Sequence, residues 1–538
     1  MSGRGSKRKT ARGGAKKASS GDAGFVVNAV GRRVPEVVNG RQQTPFQGVG
    51  AYDPAGAEHG PRIRSCKDYP ANGDKRVPDL ETALRKCGLA DGMVISTHHH
   101  FRNGDKVALM ALEAAAGLGA KDLMWFPSAS FPCQAPVIDL MDKGVVHHIE
   151  GSMNGPLGDY CSRGKMRGLG VLRSHGGRWQ AIQDGEVKID IAVIAAPTAD
   201  AFGNCDGSHG PSACGSLGFA LADSIYAEHV IVVTDNLVPF PCIPWQIQGN
   251  NVDYVVEVDS VGDPSKIVSG TTQITKSPDR LLIAEFVARF LRDAGIMRDG
   301  FSFQAGAGGI ALAFVQVLKQ MMQDAGVKAR FVRGGSTQYL VDLLNEGLTD
   351  YILDGQTFDL AAVESIGSDP RHVATSPFTS YNYHGKGNFA SMVDATVLGA
   401  TEVDVNFNAN VVTHSDGLLL HGIGGWQNCL FAGCTILAIP AFRDRVPVII
   451  DEVTTITGPE ELIDVVVTER GIAINPRRTD LLDRVRGSDL PIRPIAEIKA
   501  EVEAIVGGPP QKARVTDRPV AVVKWVDGTV IDTVWEVE

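Results

Sequence analysis

From residue 80 onward, apolar and polar positions come in blocks that switch period. Residues 80–128 predict a helix, a strand over 93–97, a polar loop over 98–105, a helix over 106–118 and a strand over 122–128. A strand, a crossover helix and a second strand at this spacing make a βαβ unit. The alternation continues with IDIAVIAAPTAD (189–200) as a strand, CGSLGFALADSIYAEH (214–229) as a helix and VIVVTDN (230–236) as a strand. Apolar runs this unbroken fit parallel strands covered on both faces.

The pattern then restarts. Residues 277–296 predict a helix, GFSFQAGAGG (300–309) a strand entering a glycine turn, and 310–326 the next helix, followed by further strand-like runs to ARFVRGG, YILDGQTFD, CTILAIPAF and DVVVTERGIAI. The expectation is an α/β protein of two open domains with mostly parallel sheets, at 51–275 and 276–538, preceded by a polar tail and linker over 1–50. A chain of 538 residues is too long for one ordinary core.

Composition changes this picture in few places. Lys and Arg number 52 against 62 Asp and Glu, and seven of the basic residues sit in 1–20, so the net charge of −10 becomes −17 without that tail. An acidic body argues against nucleic acid as the main partner, and the tail reads as a disordered, dispensable extension. No apolar run approaches the ~18 residues of a membrane span. Nine cysteines without a CxxC pair suggest reduced thiols and a cytoplasmic location. Cys205 and Cys214 fall in a glycine-rich stretch where a reactive thiol is conceivable, although a buried small hydrophobe is the commoner role.

Candidate chemistry gathers in the turns. STHHHFRNGD (96–105) places three histidines, an arginine and an Asn-Gly turn at the carboxyl end of a strand, the edge where open α/β sheets collect ligands. Neighbours in an extended chain point to opposite sides, so the three histidines cannot share one metal, and no metal site is expected. His99, His100, Arg102, Asn103 and Gly104 are instead candidates for holding a polar substrate, the guanidinium against a carboxylate. The competing reading is a histidine set packed for structure. In FSFQAGAGGIALA (301–313), Gly306, Gly308 and Gly309 match neither GxGxxG nor a P-loop, yet they would let backbone N–H groups approach an anion or a thioester arm. In THSDGLLLHGIGGWQN (413–428), Gly422, Gly424 and Gly425 are candidate backbone donors to a thioester oxyanion or its arm, and Asp416 a candidate catalytic carboxylate, although a lone Asp in a turn is more often a cap. Asn406, Asn408 and Asn410 alternate in DVNFNANVV; on a strand all three would share one face, which favours a polar ligand there.

Seven stretches, GMVISTHHHFRNGD, GNCDG…SACGSLGFA, TDNLVPFPCIP, VDYVVEVDSVGDPSKIVSGTT, DGFSFQAGAGGIALA, NFNANVVTHSDG…HGIGGWQN and VVVTERGIAINPRR, run in this order from about residue 75 to 535. In that order they resemble the alpha subunits of citrate lyase. The resemblance implies two CoA-transferase-type α/β domains and an activity that exchanges acetyl for citryl on a thioester. It implies no tightly bound cofactor, a CoA-like arm carried by an acyl carrier protein or CoA, and partner beta (citryl lyase) and gamma (acyl carrier protein) subunits. Alternatives are a sister transferase for citramalate or malonate, or a non-catalytic ligand-binding protein on the same fold. Covalent CoA-transferases carry a glutamate in the segment matching 333–340, where this chain has Ser336, Thr337 and Gln338, and Glu346 stands too far along the helix to substitute. Transfer without a covalent enzyme intermediate is the implied mechanism.

Overall fold

The computed structural model describes residues 24–54, 61–267, 273–383 and 385–538. The tail expected over 1–20 lies outside the described residues. Two large sheets organise the rest. The first has seven strands in the order Arg76–Val77, Tyr254–Glu257, His229–Thr234, Ile191–Ala196, Val94–Thr97, Leu123–Pro127 and Val146–Ile149, all parallel. The second has eight, in the order His372–Ala374, Ile352–Thr357, Ala329–Ser336, Phe301–Ala305, Ala395–Leu398, Thr435–Ala438, Val465–Thr468 and Gly471–Ile474, and only the last pair is antiparallel.

Both sheets reverse direction beside their first central strand. From Val94–Thr97 the chain adds strands outward on one side, then returns to start the other side at Ile191–Ala196; from Phe301–Ala305 it does the same and returns at Ala395–Leu398. Strand ends at such a reversal leave a crevice, because the following loops diverge to opposite faces of the sheet. The turn after Val94–Thr97 is the histidine run, and the turn after Phe301–Ala305 is the glycine turn.

Local sequence explains the element ends. Asp79 caps the helix Leu80–Lys86 by accepting from Thr82 N at 2.7 Å. Pro278 opens the helix Pro278–Asp293, and Gly326, at φ +63°, closes Gly309–Ala325 in the left-handed conformation that glycine tolerates. The stretch 214–229 is less helical than its pattern predicts: only Leu221–Tyr226 forms an α-helix, because 207–217 is folded back on itself, with Cys214 N and Gly215 N both donating to Gly207 O.

Residues 24–50, expected as linker, require a correction. Residues 25–42 form two short hairpins, and Val34, Val38 and Phe46 are buried. They pack on the C-terminal hairpin, Val515–Lys524 with Val530–Val537, which itself adds in parallel to Gly170–Leu172 of the first half. Phe46 packs edge-on against Trp525, with centroids 5.9 Å apart, and its N–H donates to Val530 O. The apolar residues of 24–50 are few, and their partners lie almost 500 positions away, so local pattern alone reads the segment as a linker.

Candidate active site

The carboxyl edges of the two sheets face each other across a cavity of about 530 Å³. The first half contributes His99, Arg102, Phe131, Ser152, Asn154, His175 and Phe219; the second contributes Gln304–Ala307, Gly334, Gly335, Gln356, Phe358, Tyr381 and the turn 421–426. Among the described residues no Asp or Glu lines it.

The histidine run splits as an extended backbone requires. His98 turns into the core, where Nε2 lies 2.9 Å from Asp223 Oδ2, and Asp223 takes both Arg178 nitrogens at 2.7 Å. Burial alone would raise the Asp223 pKa, but Arg178 and His98 outweigh it and hold the carboxyl well below its usual range. His100 also turns inward, Nε2 donating to Ala195 O at 2.7 Å, and burial lowers its pKa to about 3. His99 alone reaches the cavity. Gln356 Nε2 donates to His99 O, which leaves Gln356 Oε1 facing His99 Nε2 at 3.2 Å, so Nε2 carries the proton; Nδ1 then accepts from Ser128 Oγ at 2.6 Å. Burial, followed by the nearness of His175, His100 and Arg102, each of which would repel a second positive charge, holds His99 well below the normal histidine range. His175 stacks on it at 5.1 Å, and burial and then Arg178 lower its pKa to about 3. Both imidazoles are neutral at physiological pH.

Arg102 adopts φ +51°, and its guanidinium carbon lies 4.5 Å from the Phe358 ring centroid and 5.5 Å from that of Phe131. Burial lowers its pKa to about 10, so it stays cationic. The aromatic faces hold the fork in a dry wall, where a charge-assisted contact is strongest.

The other expected residues separate into groups. Asn103 accepts from Cys133 N at 3.0 Å, and Gly104 is needed because a Cβ there would sit 2.2 Å from Asp263 O; both shape the turn behind Arg102. Gly306 lines the cavity, Gly308 caps the helix Gly309–Ala325, and Gly309 is pressed by Gln273 O, so neither of the last two lines it. Gly422, Gly424 and Gly425 all line it. A Cβ on Gly422 would lie 1.7 Å from Ser152 Oγ, whereas on Gly424 the nearest atom would be 3.9 Å away. The Gly422 N–H points at Asn154 Oδ1 at 3.3 Å, and Gly424 O accepts from His175 N at 2.8 Å. This turn is therefore stitched to the first half.

Two expectations are corrected. Asp416 is exposed, lies outside the cavity and caps its own turn by accepting from Leu418 N at 3.0 Å. Asn406 and Asn408 do not share a strand face, because the strand Glu402–Asp404 ends in a turn with Phe407 at φ +69°. Asp404 Oδ1 accepts from the N–H groups of Asn406 and Asn408, and Asn408 Nδ2 donates to Asp404 Oδ2. Asn410 is tied to Glu402 and Thr413. Asn406 is exposed and Asn408 half-buried, so only Asn410 carries a fully buried amide, and Glu402 and Thr413 satisfy it.

The stretch 203–217 does not line the cavity either. It braces the halves: Ser216 Oγ donates to Thr375 O at 3.1 Å, and Gly215 closes on Thr357. Burial raises the thiol pKa of Cys205 and Cys214 well above normal, so neither is a reactive thiolate. At the segment matching the covalent glutamate, Ser336 is fully buried and donates to Asp354 Oδ2 at 2.5 Å, and Gln338 is exposed. Glu346 sits on the outer face, paired with Lys319. Sequence reasoning missed His175, although SHGGRW (174–179) carried a signal: a Ser cap, a His at the first helical position and two glycines, the first needed because a Cβ would lie 2.2 Å from Asn428 Nδ2. Gln304, Gln356 and Tyr381 carried no signal of their own.

Two switch-point sheets joined across one cleft define a CoA-transferase-type fold. A Pseudomonas malonate decarboxylase hetero-tetramer solved with malonate (17% identity, TM-score 0.61, 81% of this chain and 84% of that one) and a Porphyromonas gingivalis 4-hydroxybutyrate CoA-transferase (16%, 0.52, 80% and 98%) share this fold. A family profile described as "Citrate lyase, alpha subunit (CitF)" matches residues 73–537. The citrate lyase alpha chain of Klebsiella pneumoniae is 39% identical over 498 residues, covering 92% of this chain and 96% of that one; that of Escherichia coli K12 is 39% identical over 470, covering 87% and 92%. A Streptococcus mutans citrate lyase alpha subunit, solved in complex with citrate, superposes with a TM-score of 0.89 at 38% identity, covering 95% of this chain and 100% of that one. The chain belongs to the citrate lyase alpha-subunit family.

Proposed function

We propose that this chain exchanges the acyl group on a carrier thioester, citrate displacing acetate to give a citryl thioester. The thioester arm comes from an acyl carrier protein subunit or from CoA, and a lyase subunit consumes the product. The observation that carries the reading is a cavity lined by a guanidinium, neutral imidazoles and glycine turns, with no carboxylate among the described residues. A covalent transferase needs an enzyme carboxylate at the thioester carbon. Here the attacking carboxylate is the substrate's own.

In the direct route, one citrate carboxylate oxygen adds to the acetyl carbonyl and the thiolate leaves, giving an acetyl–citryl mixed anhydride. The thiolate then adds to the citryl carbonyl and acetate leaves, so charge balances without a proton or redox partner. Arg102 clamps one citrate carboxylate, His99 and His175 shape the pocket without adding charge, and the N–H groups of Gly424 and Gly425 support the tetrahedral oxyanion. That the Streptococcus mutans relative was solved with citrate supports citrate, rather than malonate or citramalate, as the acid used here.

An exchange assay with acetyl thioester tests the reading. Citrate should outcompete citramalate and malonate, and Arg102→Ala should raise the citrate KM by roughly 10- to 100-fold, the value of a hydrogen-bonded charge. Exchange confined to malonate, or none with any acid, would overturn it.

A further inference from the structure

Beneath the cavity wall lies a charge that the fold leaves without a counterion. Arg333, on the central strand Ala329–Ser336, is fully buried. Its Nη1 donates to Gln304 Oε1, the neutral Tyr381 hydroxyl and Cys429 thiol are its other polar neighbours, and no carboxylate pairs with it among the described residues. Three other buried cations away from the cavity are matched: Arg173 by Glu150 and Glu186, Arg178 by Asp223, and Lys524 by Glu186. Lys75, also buried, is capped by the carbonyls of Gly249 and Val252. Arg333 has no such carboxylate among the described residues.

Its neighbours are cavity residues. Gln304, Tyr381 and Cys429 all line the cavity; the Arg333 guanidinium carbon is 4.9 Å from the Tyr381 ring centroid, and Gln304 Nε2 donates to Cys429 Sγ at 2.8 Å. Burial keeps the Tyr381 and Cys429 protons on, Arg333 only partly opposing it, so neither supplies a negative charge. An unpaired buried cation is costly to the fold, and packing alone is better served by an apolar side chain.

We infer that Arg333 is a positioning and specificity-determining residue whose counterion is the bound polycarboxylate: it orients the Gln304 amide and sets a positive potential on the cavity floor. This rests on the acyl-exchange reading above and adds to it the origin of the preference for a multiply charged acid. The direct step moves negative charge within the cavity without changing its total, so this field acts almost equally on the bound ground state and the transition state. Its loss therefore appears in KM rather than kcat.

The test is Arg333→Met and Arg333→Lys in the full chain, with thermal melts, citrate titration and exchange kinetics. Arg333→Met should melt at or above the wild-type temperature, since a costly charge is gone. Its citrate Kd and KM should rise by about 10- to 100-fold, the range for one charge acting across about 6–12 Å at an effective dielectric of about 20, with kcat within about threefold. Acetate binding should change less than citrate binding, and Arg333→Lys should restore part of the loss. A second substitution, Gln304→Glu, supplies the missing counterion in place and should weaken citrate binding while raising the melting temperature. A misfolded or lower-melting Arg333→Met, unchanged citrate affinity, or equal losses for acetate and citrate would overturn the inference. Wild-type protein that exchanges acyl groups onto no acid would instead overturn the functional reading.

Discussion

The turn after the first central strand of each sheet occupies the same topological place, yet the two are built from different material. After Val94–Thr97 the chain sets His99 and Arg102 into the cavity; after Phe301–Ala305 it sets Gly306 there, with Gly334 and Gly335 from the end of the neighbouring strand and Gly425 from the turn 421–426. The first of these turns supplies charge and imidazole, and the second supplies backbone and room. The cleft needs both, because a thioester arm requires space beside the group that holds the acid. The smaller hairpins show the opposite case, in which the duplicated halves stay alike. Asp200 accepts from the N–H groups of 202–204 while Asn204 Nδ2 returns to it, and Asp404 does the same with Asn406 and Asn408. Asn204 Oδ1 receives Gly249 N, and Asn408 Oδ1 receives Glu460 N. A device present in both halves is scaffold, and the places where the halves diverge are the site.

The division can be broken most severely on the glycine side. Gly422→Ala drives a methyl into Ser152 and should cut exchange by about 100-fold or more, the usual effect of displacing an oxyanion support. Gly424→Ala faces open space at φ +61° and should cost less, about 1–2 kcal/mol of backbone strain in a melt.

On the histidine side the expected effects fall on stability. Asp223→Asn leaves Arg178 buried without its counter-charge and should destabilise by about 3–5 kcal/mol, lowering the melting temperature. Acid should act on the same layer. His100 and His175 have folded pKa values near 3 against 6.5 unfolded, so the unfolded chain binds more protons between these limits. Their contribution is complete above pH 6.5 and declines as pH falls toward 3, and His100→Gln should flatten that slope. The smallest effect belongs to Glu346→Gln: an exposed group paired with Lys319 on the outer face should leave exchange unchanged and stability within about 0.5 kcal/mol.

Much of this was legible in the sequence, and the failures have physical causes. Continuous apolar runs gave the parallel strands, because strands covered on both faces need no polar alternation. The histidine run was readable as a ligand edge, but which imidazole turns outward is settled by Asp223 and Ala195, which lie far off in the chain. Asn406 and Asn408 misled because period-two spacing is shared by a strand and by an Asp-anchored turn, and Phe407 at positive φ decided for the turn. Asp416 misled because nearness in sequence to Gly422 is not nearness in space. Phe46 and Arg333 were invisible, since the burial of each is created by distant segments.

The central claim is that the cleft contains no nucleophilic carboxylate among the described residues and that the acid substrate attacks the thioester itself. Intact-protein mass spectrometry after incubation with acetyl thioester alone tests it most directly. The account predicts an unmodified chain, with acetyl transfer beginning only when citrate is added; an acetyl or thioester adduct on any Asp or Glu of this chain would contradict it.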